Sequence, residues 1–232
     1  MEPKQQTGRR RTRDRILEVS LRLFNEVGEA NVTTTTIAEA MEISPGNLYY
    51  HFRNKDDIIN PIFVRFEQEM ENRLKMPDSK VTLEECWRYL KEMSEFMWSF
   101  RFLYRDINDL MARSRILETN FKGIVEQKKR FALEICQQFV EAGEVEATPE
   151  QIETICTNMV VIATHWLSYQ FVQHPRQYND LEQIRNYLHG LSYHTLSIIA
   201  PYLRGRKRKA FDLLSLDYLE SKAASEARKE KW

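Results

Sequence analysis

Apolar and polar positions recur with a helical period along most of this chain. Ile16, Ser20, Leu23 and Val27, with Leu17, Leu21 and Phe24 alongside, make one stripe that stops at Gly28, which predicts a first helix over 12–27. Residues 1–10 hold charged and turn residues without an apolar period and are expected to be a mobile arm. A threonine run, 33–36, leads into Ile37, Ala38 and Met41, and Thr34 is placed to cap a short second helix by accepting from its first N–H groups. Glu42 and Ile43 leave that helix. Ser44 then offers a new cap, and Pro45 takes the first helical position, where a missing N–H costs nothing, so a third helix begins. Leu48 and Phe52, four apart, give it one inward face, while Asn54 with Asp56 and Asp57 marks the start of a fourth.

Longer helices follow. One is predicted from Lys55 to Lys75, bent near its start by Pro61 and ending before Met76-Pro77-Asp78. Thr82 and Glu85 have capping-box spacing and open a helix carrying Trp87, Leu90, Met93, Phe96 and Met97. The stretch from Phe100 to Arg115 is apolar on one side and charged on the other. Asn120 is expected to cap a helix that reaches Ala142 and stops at Gly143. Thr148-Pro-Glu-Gln151 starts a helix with Ile152, Ile155, Met159, Ile162 and Trp166, closed by His174-Pro175. A last long helix runs from Asn179 through Tyr187, Leu191 and Ile199 to Pro201. The tail, 205–232, is charged but keeps Phe211, Leu214 and Tyr218 at helical spacing; solvated and body-docked readings of it both stand, as does a second DNA contact through Arg204, Arg206, Lys207, Arg208 and Lys209. No segment alternates with period two, and no internal repeat is visible. The fold class is therefore all-α.

Composition sharpens this in three ways. Seven glycines and seven prolines in 232 residues suit helices. Lys+Arg and Asp+Glu stand at 34 each, so any polyanion must be met by a local patch rather than a global field. The cysteines, Cys86, Cys136 and Cys156, lie far apart within apolar patterns and read as reduced core residues. The first residues lead into no apolar signal segment, and no run approaches the ~18 apolar residues that cross a bilayer, so a cytoplasmic protein is expected. There is no GxSxG, HExxH, CxxC pair or glycine-rich phosphate loop, and His189 and His194 are five apart, a poor metal pair on a helix. The expectation is a protein that is not an enzyme and that needs no cofactor and no metal.

The chemistry concentrates in 33–58. A short helix, a tight turn and a capped helix make a helix-turn-helix, whose second helix enters the major groove. Ile37, Ala38, Ile43, Leu48 and Phe52 fix the angle between the two helices. The remaining faces are left for a partner. Gly46, without a side chain, lets the helix N-terminus approach phosphates or base edges. Asn47 can pair with adenine, and the ring of Tyr49 can lie on a thymine methyl. Tyr50 and His51 carry donors at the groove wall, and Thr34 and Lys55 bracket the motif at phosphate-distance positions. Arg9, Arg10, Arg11, Arg13 and Arg15, against Asp14, add salt-dependent attraction and have the chemistry to reach a minor groove; a solvated tail explains them equally well. For the tyrosines and histidine the bland alternative is a surface cluster capping a small domain.

Residues 12–58, with IAEA (37–40), SPGNLYYHF (44–52) and NK (54–55), closely resemble the DNA-binding domain of the TetR family of bacterial transcriptional repressors. The resemblance implies a three-helix N-terminal domain, a larger helical ligand-binding domain and a homodimer built on the last two helices, within 149–174 and 180–200. It divides the chain into an arm (1–11), a helix-turn-helix domain (12–57), a ligand-binding and dimerisation domain (58–204) and a tail (205–232). By position, Thr34, Tyr50, His51 and Lys55 match the family's phosphate contacts, and Pro45, Gly46, Asn47 and Tyr49 match its base-facing part. Pro45 departs from the polar or small residue several members carry there, so one polar base contact is absent. The function implied is a repressor of a palindromic operator in double-stranded DNA, released by a small-molecule effector; the alternative is a DNA-binding regulator controlled by protein partners.

For the effector, aromatics and methionines cluster over 87–104 and recur at Phe121, Phe131, Phe139, Trp166, Tyr169 and Phe171, a lining that suits an acyl or other lipophilic molecule and that core packing also explains. Arg101 and Arg105 share a helical face and can hold a carboxylate or phosphate, or pair with Asp106 or Asp109. His165 beside Trp166 can donate to a ligand or be satisfied in the core. The expected ligand contacts are Trp98, Arg101, Phe102, Arg105, His165 and Trp166.

Overall fold

The computed structural model describes residues 3–77 and 79–229. Among them the named elements are helices: α1 (Pro3–Val27), α2 (Thr34–Ala40), α3 (Pro45–His51), α4 (Asp56–Arg73), α5 (Leu83–Ser99), α6 (Arg101–Arg105), α7 (Ile107–Arg113), α8 (Arg115–Glu141), α9 (Pro149–Gln173), α10 (Leu181–Ser197) and α11 (Gly205–Lys229). A single antiparallel bridge joins Val145 to Leu203. No helix among the described residues is long and apolar enough to cross a membrane.

The chain forms two compact units, one of residues up to Met70 with Phe100–Phe121, the other of Glu71–Ser99 with the residues from Lys122 onward. The division falls inside α4 and α8 rather than at 57/58, because packing and not the motif boundary decides it. In the first unit Ile16 and Phe24 of α1, Ile37 and Ala38 of α2, Leu48 of α3 and Phe63 and Phe66 of α4 are all buried, and α2 packs against both α1 and α3. Phe24 lies 5.3 Å from Phe102, and Phe66 lies 5.4 Å from Phe100 and 5.9 Å from Tyr104.

In the second unit α10 is central and packs against α5, α9 and α11. Trp166 of α9 donates its indole N–H to the Tyr187 carbonyl at 2.7 Å. Gly190 is what lets that indole sit against α10, since a Cβ there would lie 2.7 Å from Trp166 Cζ2. The tail is docked on its unit: Phe211, Ser215 and Tyr218 are buried, Tyr218 stacks on Tyr193 at 4.8 Å, and its hydroxyl pairs with His194 at 3.2 Å.

Three expected starts move. α1 begins at Pro3, not Thr12, because Lys, Gln and Arg propagate a helix without any apolar stripe to announce it. The expected stretch 100–115 divides at Asp106, whose carboxylate accepts from the Glu29 backbone N–H at 3.2 Å and so belongs to a contact 77 positions away. α8 begins at Arg115 rather than at Asn120, whose side chain instead donates to Glu67 at 3.1 Å. The three cysteines are buried free thiols, and burial raises the pKa of Cys86 to about 12. The capping box expected at Thr82 forms, and the cap-and-proline start at Thr148 is also a capping box: each threonine oxygen accepts from the N–H three residues on, and Glu85 or Gln151 reaches back to accept from the threonine N–H.

Candidate nucleic-acid interface and ligand cavity

The helix-turn-helix is assembled by caps. Thr33, not Thr34, is the N-cap of α2: its hydroxyl oxygen accepts from Thr36 N–H at 3.1 Å, and Thr34, half-buried, is the first helical residue. The α2 C-terminus closes in a Schellman turn, with Ile43 N–H donating to the Ala38 carbonyl and Glu42 N–H to that of Glu39, both at 3.0 Å. That turn puts Glu42 at φ 57, a left-handed position where glycine is the usual residue. Ser44 then caps α3, its oxygen accepting from Asn47 N–H at 3.2 Å, with Pro45 at the helix start.

The two faces of α3 differ sharply. Leu48 and Phe52 are buried, whereas Pro45, Gly46 and Asn47 are exposed and Tyr49 and Tyr50 stand 62% and 63% open to solvent. His51 is half-buried and meets the Tyr50 ring edge-on at 5.3 Å. A Cβ at Gly46 would meet only the Ser44 oxygen at 4.0 Å, so nothing in the fold calls for glycine there. Two large rings held in water on a helix anchored from behind are unprofitable for a lone domain and suited to a partner.

Lys55 departs from the sequence reading. Its ammonium lies 2.9 Å from the carboxylate of Glu29, which is wholly buried, and donates to the Glu29 carbonyl at 2.9 Å. Arg113 of α7 holds the other Glu29 oxygen at 2.7 Å. Lys55 therefore fastens the exit of α3 to the first unit, as a positioning residue. Of the arm arginines, Arg10, Arg11, Arg13 and Arg15 are exposed on α1, and the Arg13 guanidinium sits 4.9 Å above the Phe52 ring; the side chain of Arg9 lies outside the described residues.

Two family descriptions match the chain. "Bacterial regulatory proteins, tetR family" covers residues 16–62, and "Bacterial transcriptional repressor", TetR, covers residues 65–211. A TetR-family transcriptional regulator from Marinobacter aquaeolei VT8 is 33% identical with a TM-score of 0.78, covering 89% of this chain and 98% of that one. The chain belongs to the TetR family of bacterial transcription regulators. The tetracycline repressor protein class G of Vibrio anguillarum is 32% identical over 117 residues, 50% of this chain and 53% of that protein. The regulator AcrR of Shigella flexneri is 32% identical over 77 residues, 31% of this chain and 36% of that one. The chain thus spans about half or less of the length of these curated relatives. KstR2 of Mycobacterium tuberculosis, 17% identical at a TM-score of 0.60, shares the fold.

The second unit of this TetR-family chain encloses a cavity of about 310 Å³. Its walls come from the end of α4 and from α5, α8, α9 and α10, with Tyr89, Met93, Phe131, Phe139, Met159 and Ile199 among the lining side chains. Three groups with polar ends join them. Lys128 of α8 is buried, and burial lowers its pKa to about 8. The hydroxyls of Tyr89 and Thr195 are buried without a hydrogen-bond partner, and burial raises the pKa of Tyr89.

None of the six expected ligand contacts lines this cavity. Trp98 packs 5.0 Å from Tyr178, and Trp166 is committed to Tyr187 and to His194, 4.7 Å away. His165 is exposed on α9. Arg101, Phe102 and Arg105 belong to the first unit: Phe102 is core, its N–H donating to Asn25, and Arg105 donates to the Phe24 carbonyl at 3.0 Å and faces Asp106 at 3.5 Å. Of the expected aromatic and methionine lining, Met93, Phe131 and Phe139 do reach the cavity. Lys128 escaped the sequence reading. The signal was a cation set in the apolar stripe of Phe121, Ile124 and Ile135.

Proposed function

We propose that the chain is a ligand-responsive repressor that reads a two-fold symmetric operator as a homodimer and leaves it when a small, chiefly apolar molecule fills the cavity of the second unit. The observation that carries the DNA half is the exposure of Tyr49 and Tyr50 on a capped helix whose Leu48 and Phe52 are buried. On this reading Gly46, Asn47 and Tyr49 face bases, with Pro45 shaping the approach, and Thr34, Tyr50 and His51 face phosphates. Lys55 contributes by holding the helix in place, and the helical arginines of α1 add salt-dependent attraction. Residues 12–57 do the reading, and 58–204 hold ligand and partner. The cavity favours a small-molecule effector over control by protein partners alone.

The dimer reading changes one helix. α10 presents no large exposed apolar side chain among the described residues, because α5, α9 and α11 cover it. The open apolar positions are Val161, Tyr169 and Val172 on α9 and Leu213, Leu216 and Leu219 on α11. The interface we assign is thus α9 with α11 from each copy, a four-helix contact, in place of α9 with 180–200. Two α3 helices must meet grooves about 34 Å apart, so a ligand that binds the wrongly spaced state more tightly lowers DNA affinity. α4 supports this coupling, since it starts beside the helix-turn-helix and its residue Arg73 lines the cavity.

Binding of Tyr49→Ala to duplexes selected from a random pool tests the reading. Tyr49 is exposed, so thermal stability is expected to hold, while preference at one half-site position falls by about 1–3 kcal/mol. An equal loss on every sequence removes Tyr49 from the bases.

A further inference from the structure

Two hydroxyls on the cavity's lining residues restrict what it takes, and this step rests on the ligand-responsive reading above. The wall is mostly hydrocarbon and ring, with the Tyr89 and Phe131 rings 4.9 Å apart on one side. Tyr89 of α5 and Thr195 of α10, the latter 4% exposed, end in hydroxyls that are shut from bulk water and have no hydrogen-bond partner. For Thr195 a partner is close by, because a helical hydroxyl can donate to the carbonyl four residues back. Thr154, Thr157, Ser197 and Ser215 each do so, at 2.9, 2.9, 2.6 and 2.7 Å. Thr195 does not, and valine would fill its place without a polar atom. A buried hydroxyl in that condition costs free energy until an acceptor meets its proton.

The charged groups of the lining are engaged within the chain. Lys128 has an interaction of its own. The Arg73 guanidinium lies 4.2 Å above the Phe96 ring, the Lys75 ammonium donates to Asn72 at 2.8 Å, and Arg88 faces Glu92 at 3.9 Å. Glu85 is spent on its cap, accepting from the Thr82 N–H at 2.7 Å. A charged ligand would give up its hydration for a wall whose own charges are already committed, which is costly. We propose that the cavity binds an uncharged molecule with an apolar body and a carbonyl group, whose oxygen accepts from the Tyr89 and Thr195 hydroxyls. Two donors without an acceptor call for a group that brings lone pairs and no proton. A carbonyl oxygen has two lone pairs and nothing to donate, whereas an ammonium brings protons where they are already in excess.

Titration calorimetry with 2-octanone, octanoate, octylamine and propylbenzene, on the full chain at neutral pH, tests the assignment. The ketone is expected to bind about tenfold or more tighter than the acid and the amine, which carry charge into the wall. Thr195→Val and Tyr89→Phe each remove one hydroxyl and little else. Each should weaken 2-octanone about fivefold, the loss of one hydrogen bond, and leave propylbenzene binding unchanged. The melting temperature of either variant should hold or rise, because an unanswered hydroxyl has gone. Tighter binding of acid or amine, ketone binding that survives both substitutions, no binding of the ketone, or a fall in melting temperature that reveals a partner within the protein overturns the proposal. Operator affinity measured alongside separates the two readings. Ketone selectivity with unchanged DNA binding leaves the cavity assignment standing and removes ligand-responsive repression, while release of DNA by octanoate or propylbenzene in preference to 2-octanone does the reverse.

Discussion

Lys128 shows how one residue can oppose the fold that holds it. Its proton is bound with a pKa of about 8 in the folded chain against an ordinary 10.5, and burial is the cause. Below the folded value both states are charged and the penalty of burial is present in full; between about 8 and 10.5 the unfolded chain keeps a proton the folded lysine has lost, so stability rises with pH. At about 1.4 kcal/mol per pH unit the penalty is on the order of 3 kcal/mol. Lys128→Met is thus expected to raise the unfolding free energy at neutral pH by about 2–3 kcal/mol and to flatten this limb of the profile, as read by urea titrations at successive pH values. A destabilised variant would mean that the ammonium is held by something worth more than its burial costs. The Glu29 carboxylate is fully buried and has Lys55 and Arg113 to answer it. The lysine of the NK pair was legible as part of a motif; its partner, 26 positions earlier, was not, because an ion pair between distant segments leaves no local periodicity.

At the scale of elements, what was legible follows from local chemistry. Ser44 before Pro45, the TxxE at Thr82 and the TPxQ at Thr148 each name their own first helical residue, and the structure starts helices there. What was missed was either featureless or tertiary. The start of α1 lacks an apolar stripe, and the split at Asp106 answers to Glu29. The turn between α2 and α3 carries a testable strain. Glu42 occupies a left-handed conformation in a Schellman turn that glycine ordinarily fills. Glu42→Gly is expected to raise stability by about 0.5–1 kcal/mol, after the extra entropy glycine brings to the unfolded chain, with no change in which residues α3 presents. Thermal unfolding in parallel with DNA binding checks it. A loss of stability would mean that the Glu42 side chain makes a contact worth more than its backbone strain.

For the whole molecule, family and DNA-binding motif were readable because they lie in one short run, 37–55, where caps, turn and outward rings are consecutive. The effector site was not. Its lining is drawn from five helices, and only the fold decides which aromatics face a cavity and which face each other. For the proposed dimer surface, the resemblance pointed to 149–174 and 180–200, whereas the open apolar positions lie on α9 and on α11, which packs against α10. The account stands on two copies placing two α3 helices on one duplex. Sedimentation of the chain with a selected two-fold symmetric duplex, beside the double variant Val172→Glu, Leu216→Glu, tests this most directly. Two chains per duplex for the unmutated protein, and a folded monomer with DNA affinity at least about tenfold weaker for the variant, is the predicted result. A single unmutated chain holding the duplex, or a variant that still pairs and binds as before, contradicts it.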